Sequence, residues 1–249
     1  AHQGLVAAPS ADPGRVCGQC HADVVAVYPN SLHSTQQGYW TVINERSVPE
    51  NHEALEEMFG NHCAGCHTDC GDCHVSQPTS VGGGFIDGHL FNATPSLTRN
   101  CTACHGSRVG NEYLGKHEDL KADVHFRNGR MTCTDCHGAS ELHGDYAALG
   151  MDEVPDHRYA GGQTPACENC HQVAETGAEY LVTHKVHGAV SCQVCHSVAY
   201  TSCDGCHVQV SEDTGKPYFA TEDTYLTFFI GKNPLKSAER PYDYVTVRH

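Results

Sequence analysis

The stretch Cys63-Ala-Gly-Cys66-His67-Thr-Asp-Cys70-Gly-Asp-Cys73-His74 holds two copies of the pattern C-x-x-C-H within twelve residues. Six further copies lie elsewhere, so eight motifs use all 16 cysteines of the 249-residue chain. Numbered motif I to motif VIII in chain order, they comprise Cys17, Cys20 and His21; Cys63, Cys66 and His67; Cys70, Cys73 and His74; Cys101, Cys104 and His105; Cys133, Cys136 and His137; Cys167, Cys170 and His171; Cys192, Cys195 and His196; and Cys203, Cys206 and His207. A pattern that leaves no cysteine over must dominate both the fold and the chemistry.

Each motif has the spacing that attaches a haem covalently. Two thiols three positions apart can add to the two vinyl groups of one haem, and the next residue, histidine, then binds the iron. The sequence therefore predicts eight c-type haems, with the cysteines as attachment points and the motif histidines as first axial ligands. Zinc sites built from paired C-x-x-C motifs do not need a histidine after each second cysteine. Disulfides within the motifs would be strained and would leave the eight histidines unexplained.

With these eight motifs the chain resembles multihaem c-type cytochromes of prokaryotes that respire outside the cytoplasm. The likeness spans Cys17 to His207. Three further segments, Asp123-Val-His125, Glu141-Leu-His143-Gly144 and Val81-Gly-Gly-Gly84, look like those of extracellular cytochromes, some of which polymerise into haem nanowires. The resemblance implies haem attachment after export. The expected location is the extracellular space or the cell surface, with the periplasm as the alternative.

The second axial ligand of each iron separates an electron carrier from an enzyme. Twelve histidines lie outside the motifs, whereas the chain has only three methionines, so His/His ligation is expected throughout. The predicted second ligands lie between or near the motifs: His33, His62, His89, His125, His143, His157, His184 and His187. Four histidines are left out, because His52 falls in a predicted helix, His117 precedes acidic residues, and His2 and His249 lie at the termini.

Composition predicts a loop-rich fold. Leu, Ile, Val and Phe supply 44 of 249 residues, below the fifth that a self-sufficient apolar core needs, while Gly and Pro number 25 and 11. We expect haems to fill the core, with short helices near Asp23–Val27, Pro49–Phe59 and Glu175–His187. Residues 1–210 would form the octahaem region. Residues 211–249 would add a strand-rich appendage from Thr224–Ile230 and Asp243–Val247, which either accepts a strand from another subunit or caps the last haems locally.

Charge and hydropathy limit the partners. Thirty acidic residues against 15 basic ones give a formal charge of −15, which disfavours binding to nucleic acids. No apolar run is long enough to span a bilayer, and the first residues lack the features of a signal peptide, so we expect any export signal to have been removed.

These features together predict an electron carrier rather than an enzyme, with no catalytic residues. Its partners would be other redox proteins or extracellular electron acceptors, and the chain would form a homopolymer. Two alternatives stay open: a soluble periplasmic shuttle, and an octahaem oxidoreductase of the hydroxylamine, nitrite or tetrathionate type. The enzyme reading requires one haem with an open or displaceable sixth ligand.

Overall fold

The computed structural model describes most of the chain, with short gaps. The described residues are 9–63, 68–78, 81–117, 119–162, 164–171, 184–204, 207–220 and 223–247. None of the helices in this part of the chain has the length and hydropathy needed to cross a membrane.

Short helices joined by turns make up the first two thirds of the described chain. The α-helices are α1 (Pro13–Val16), α2 (Ala22–Val27), α3 (Leu32–Thr35), α4 (Gln37–Arg46), α5 (His52–Met58), α6 (Cys70–His74), α7 (Thr102–His105), α8 (Asn111–Leu114), α9 (Val124–Gly129), α10 (Cys133–Cys136), α11 (Ala139–His143) and α12 (Cys192–His196). Single turns of 3-10 helix lie at Pro9–Ala11, Tyr28–Asn30, Pro49–Asn51, Ala160–Gly162 and Cys167–Asn169, and π-helical turns at Phe59–Cys63, Leu97–Cys101 and Gly106–Gly110.

Residues in the left-handed conformation end several of these helices. Gly115 and Gly144, at the ends of α8 and α11, have φ of 66° and 74°. Gln36 and Arg130 adopt the same conformation after α3 and α9, although they carry side chains. Because a left-handed residue cannot continue an α-helix, the chain turns after four to six residues in each case.

The predicted helices are met in part. The helix near residues 23–27 is confirmed as α2. The one expected over 49–59 divides into a 3-10 turn, Pro49–Asn51, followed by α5. Most of the one expected over 175–187 lies outside the described residues.

Six strands form three antiparallel pairs: β1 (Tyr200–Asp204) with β4 (Asp223–Thr227), β2 (His207–Val210) with β3 (Pro217–Ala220), and β5 (Phe229–Lys232) with β6 (Tyr244–Val247). The strand predicted over 224–230 is confirmed in part: β4 and β5 cover it except at Phe228, where the chain changes partner from β1 to β6. The Phe228 ring lies 6.3 Å from that of Tyr200, between a strand that pairs with β1 and one that pairs with β6. The strand predicted at the C-terminus is confirmed as β6.

Strand β6 is also tied to the segment before motif VII. The Ser191 N–H donates to Tyr244 O at 2.9 Å, and the Tyr244 N–H donates to Ala189 O at 3.0 Å. Both edges of β6 are therefore engaged within the chain at Tyr244, and the C-terminal strands hold the start of α12.

Side chains supply little of the interior. Four hydrophobic residues among those described are buried, namely Met58, Phe59, Tyr146 and Val245. The chain exposes 15978 Å² in all. A compact monomer of 26.9 kDa would expose about 11,000 Å². The exposed area is therefore larger than that of a compact monomer of this mass. The structure is loop-rich, with short helices and a small C-terminal β element, as predicted.

Candidate functional site

Most described motifs fold as one helical turn. Motifs III, IV and VII lie at α6, α7 and α12, and motif V forms α10. In motifs I, V and VI the histidine N–H donates to the carbonyl of the first cysteine at 2.9, 2.8 and 2.9 Å. Positions i, i+3 and i+4 share one face of a helical turn, so both thiols and the imidazole project in the same general direction. Motif VIII differs, since Cys203 lies in β1 and His207 begins β2.

The residue before the second cysteine closes this turn in three motifs. Its side-chain oxygen accepts a hydrogen bond from the backbone N–H of the residue just before the motif. The pairs are Asp72 with Asp69 at 3.0 Å, Asp135 with Thr132 at 2.6 Å, and Asn169 with Ala166 at 2.7 Å. In motif III, Asp69 returns the bond by accepting from Gly71 and Asp72, which completes a capping box.

Four motif histidines each face a histidine that the sequence analysis predicted as a second ligand. The pairs and the distances between their ring centroids are His105 and His33, 6.1 Å; His74 and His143, 6.1 Å; His171 and His125, 5.8 Å; and His196 and His184, 6.0 Å. The partners lie 72, 69, 46 and 12 residues apart in sequence. The four separations agree within 0.3 Å, although the chain reaches each pair by a different route.

This spacing suits a metal ion between the rings. Two metal–imidazole bonds of about 2 Å each, plus the distance from each nitrogen to its ring centre, place the centroids roughly 6 Å apart. For His125 and His171 the two Nε2 atoms face each other at 3.5 Å. A ligated metal would hold these two nitrogens about 4 Å apart.

Hydrogen bonds at Nδ1 orient three of the histidines. Nδ1 of His74 lies 2.7 Å from the backbone oxygen of Asn92. Nδ1 of His125 lies 2.9 Å from a carboxylate oxygen of Asp123. Nδ1 of His137 lies 2.9 Å from one of Glu141. An acceptor at Nδ1 fixes the proton there, so Nε2 keeps its lone pair for a metal.

Two of the second histidines are positioned together, because α3 carries His33 and α11 carries His143. Gly144 comes so close to Ser31 that a Cβ on the glycine would lie 2.6 Å from the Ser31 nitrogen. Tyr146 fixes the same junction by donating its hydroxyl hydrogen to Asn30 O at 2.9 Å. The contact between α3 and α11 therefore sets the positions of the rings that face motifs IV and III.

Burial keeps these rings uncharged. Burial, together with the neighbouring His105, His137 and His143, lowers the pKa of His33 to about 4. It also lowers the pKa of His105 and of His143. Neutral imidazole is the form that binds a metal.

The other predicted second ligands are not placed against a motif histidine by any described ring contact. The ring of His89 lies 4.9 Å from that of Phe85. Nδ1 of His157 accepts a hydrogen bond from the Tyr159 N–H at 3.2 Å. His187 lies one turn after His184, at the end of the described helical turn. The side chain of His62 lies outside the described residues.

For the other four motif histidines, no such pair is found among the described residues. His67 and the side chain of His207 lie outside the described residues. His21 and His137 are described, and neither faces another described histidine ring at this separation.

The structure gives different surroundings to two histidines that the sequence analysis had left out of the predicted ligands. Nε2 of His117 lies 3.2 Å from the buried carboxylate of Glu112, so the nitrogen a metal would need is occupied. Nε2 of His52, in contrast, is buried without a hydrogen-bond partner. The sequence around His52, the first residue of α5, does not indicate that this nitrogen is buried.

The residues present fit a c-type haem. None of the twelve cysteines of motifs I and III to VII is in a disulfide. Among the described residues, no group of three or more His, Cys, Asp or Glu side chains is arranged to hold a bare metal ion. Haem iron requires no such group, because the porphyrin supplies four ligands and two histidines complete the set. Apolar side chains beside the predicted ligands are exposed, with Leu90 at 67% and Val186 at 71%, as surfaces that a porphyrin could cover.

Comparison of the chain with protein-family models, with curated protein sequences and with solved structures finds no match.

Proposed function

We propose that this chain is an electron-transfer protein that carries eight c-type haems, one on each C-x-x-C-H motif. The observation that carries the proposal is the set of four histidine pairs, each 5.8–6.1 Å between ring centroids and each made by one motif histidine and one other histidine. A shared spacing at four separate places favours a shared ligand. Each bound haem supplies an iron that takes up and gives back single electrons.

The side chains then have distinct tasks. The cysteines form thioether bonds and hold each porphyrin against its helical turn. The motif histidines bind one face of the iron, and the second histidines bind the other. Asp123 and Glu141 hold His125 and His137 through Nδ1, which makes both rings stronger donors and favours the oxidised iron.

Histidine on both faces favours a carrier over an enzyme, because it leaves no coordination position for a substrate. It also gives lower reduction potentials than His/Met ligation. The acidic composition would orient the protein toward basic partners. We place the chain outside the cytoplasm, at the cell surface or in the extracellular space, where redox proteins or external acceptors would exchange electrons with it and copies of the chain would polymerise.

Mass spectrometry and electron paramagnetic resonance test the proposal on protein matured in a bacterium that makes c-type cytochromes. The intact mass should exceed that of the chain by eight haems, and the oxidised protein should show low-spin iron. A matched variant with Cys133→Ser and Cys136→Ser should lose one haem. Purified protein that carries zinc or disulfides and no covalent haem would refute the proposal.

An octahaem oxidoreductase is the second candidate, because His21 and His137 face no described histidine ring. An iron left open at motif I or motif V would give a high-spin signal that changes when cyanide is added. A spectrum that is entirely low-spin and unaffected by cyanide would exclude this reading.

A further inference from the structure

Thiols from different motifs meet in pairs. In three pairs the first cysteine of one motif lies close enough to the first cysteine of another to shift its pKa. These are Cys17 with Cys70, Cys101 with Cys133, and Cys167 with Cys192. The contacts join motif I to III, motif IV to V, and motif VI to VII.

Second cysteines meet at two other places. In the pairs Cys73 with Cys104 and Cys136 with Cys170, the second thiol is close enough to contribute, after burial, to the raised pKa of the first. Cys73 also interacts with Cys101, the other cysteine of the same neighbour. These contacts join motif III to IV and motif V to VI. Together with the first set they connect six motifs without a gap.

Hydrogen bonds outside the thiols support each junction. Between motifs I and III, Gly71 N donates to Ser10 Oγ at 3.2 Å, just ahead of α1. Between motifs III and IV, the buried Asn100 donates to Asp72 O at 2.6 Å and to Ser76 O at 3.1 Å.

Side-chain contacts also link the motifs at the remaining three junctions. Tyr113, which follows motif IV, donates to Met131 O, before motif V, at 2.9 Å. His125, from the segment before motif V, faces His171 of motif VI. Cys192 of motif VII donates to Glu168 of motif VI at 3.4 Å.

From these contacts we infer that six of the haems exchange electrons in the order I, III, IV, V, VI, VII, and that neighbours along this row meet alternately through their first and their second cysteines. The inference rests on the proposed function. It makes two specific statements. The order in space differs from the order in sequence, since the row passes from motif I to motif III without motif II. The row also has two kinds of junction, one between first cysteines and one between second cysteines.

Each exchange moves one electron from a ferrous iron to a neighbouring ferric iron, so that one is oxidised, the other is reduced, and no bond is made or broken. The order can be read from electrostatic coupling, because the charge on one iron changes the potentials of its neighbours. That effect falls with distance and with screening by salt. A neighbour in the row should respond roughly fivefold more than the haem beyond it.

Two variants place the perturbation at different points. His33→Met acts on motif IV and His125→Met on motif VI, and each should raise the potential of its own haem. That haem then stays reduced while the others titrate, so its neighbours carry one positive charge less beside them and their potentials fall. Redox titration followed by NMR, with the haem methyl signals assigned to motifs, measures each potential separately.

The expected pattern is specific. His33→Met should lower the potentials of motifs III and V, His125→Met those of motifs V and VII, and only motif V should respond to both. If either variant fails to fold, His143→Met should lower motifs I and IV instead. The haems could be present but coupled in another order, for example with motif I responding more strongly to motif II than to motif III. That result would overturn the proposed order and leave the proposed function standing. Absence of covalent haem would overturn both.

Discussion

Replacing Gly144 by alanine should disturb two of the proposed haem sites at once. Gly144 follows His143 at the end of α11 and has φ of 74°. An added Cβ would lie 2.6 Å from the nitrogen and 2.8 Å from the Cα of Ser31, which are backbone atoms at the start of α3 and cannot rotate away. The helices α3 and α11 would have to separate, and they carry His33 and His143.

The cost has two parts. A left-handed conformation costs a residue other than glycine about 1–2 kcal/mol. Forcing a methyl group into a packed contact costs about 1–3 kcal/mol more. We therefore expect Gly144→Ala to lower the free energy of unfolding by about 2–5 kcal/mol. Gly150→Ala is the matched control, because Gly150 has φ of 77° but nothing within 4 Å of the added Cβ. It should show only the conformational part.

Urea unfolding of the haem-loaded protein, followed by circular dichroism, measures the two free energies. Paramagnetic resonance of the oxidised variants provides the second readout. Gly144→Ala should produce high-spin iron, because His143, His33 or both withdraw from their irons, while Gly150→Ala should stay low-spin. Equal destabilisation by the two substitutions, with no change of spin state in either, would show that the contact between α3 and α11 does not position these ligands.

Four further changes test other parts of the structure. His125→Met should raise the potential of the haem on motif VI and alter the low-spin spectrum; a spectropotentiometric titration identical to that of the unmodified protein would remove this histidine from the ligand set. Glu141→Gln should raise the reduction potential of the haem on motif V by some tens of millivolts in the same assay. The reason is that His137 loses a charged hydrogen-bond acceptor and becomes a weaker ligand to the iron. An unchanged potential would mean that this contact does not tune the iron. Asn100→Ala removes three hydrogen bonds at a buried position and should cost about 2–4 kcal/mol in urea unfolding, whereas Asn92→Ala, which loses one exposed bond, should cost less than about 0.5 kcal/mol. Ile230→Lys charges a side chain that is 59% exposed on β5, and if copies of the chain associate through this strand, sedimentation should show smaller particles; unchanged sedimentation would exclude β5 from the contact.

The proposed attachment sites depend only on short-range spacing. Two cysteines and a histidine within five residues define such a site in the sequence wherever the rest of the chain lies. Counting the remaining histidines also yielded His33, His125, His143 and His184, which the structure brings to motif histidines.

The pairing itself could not be predicted from the sequence. His143 lies six residues after His137 but faces His74, 69 residues earlier, because α11 packs on α3 and not on its own motif. The break at Phe228 in the strand expected over 224–230 was missed for a similar reason, because the strand propensity is continuous while the two halves pair with β1 and β6. Burial of the His52 Nε2 depends on packing around α5 and leaves no local pattern.

The hydrogen bonds from Asp72, Asp135 and Asn169 bear on how the protein is made. Each joins residues three apart, so it needs no contact with distant parts of the chain. If the chain carries haem as proposed, the haem-free chain could therefore form these three turns before it has any tertiary structure, with the thiols already on one face. Motifs I, II, IV, VII and VIII have Gln, Gly, Ala, Val and Gly at the same position. None of these residues can supply a carboxylate there, and only the glutamine carries a side-chain oxygen. Motifs III, V and VI should consequently be the first to accept haem during maturation, and the remainder of the row would assemble around them.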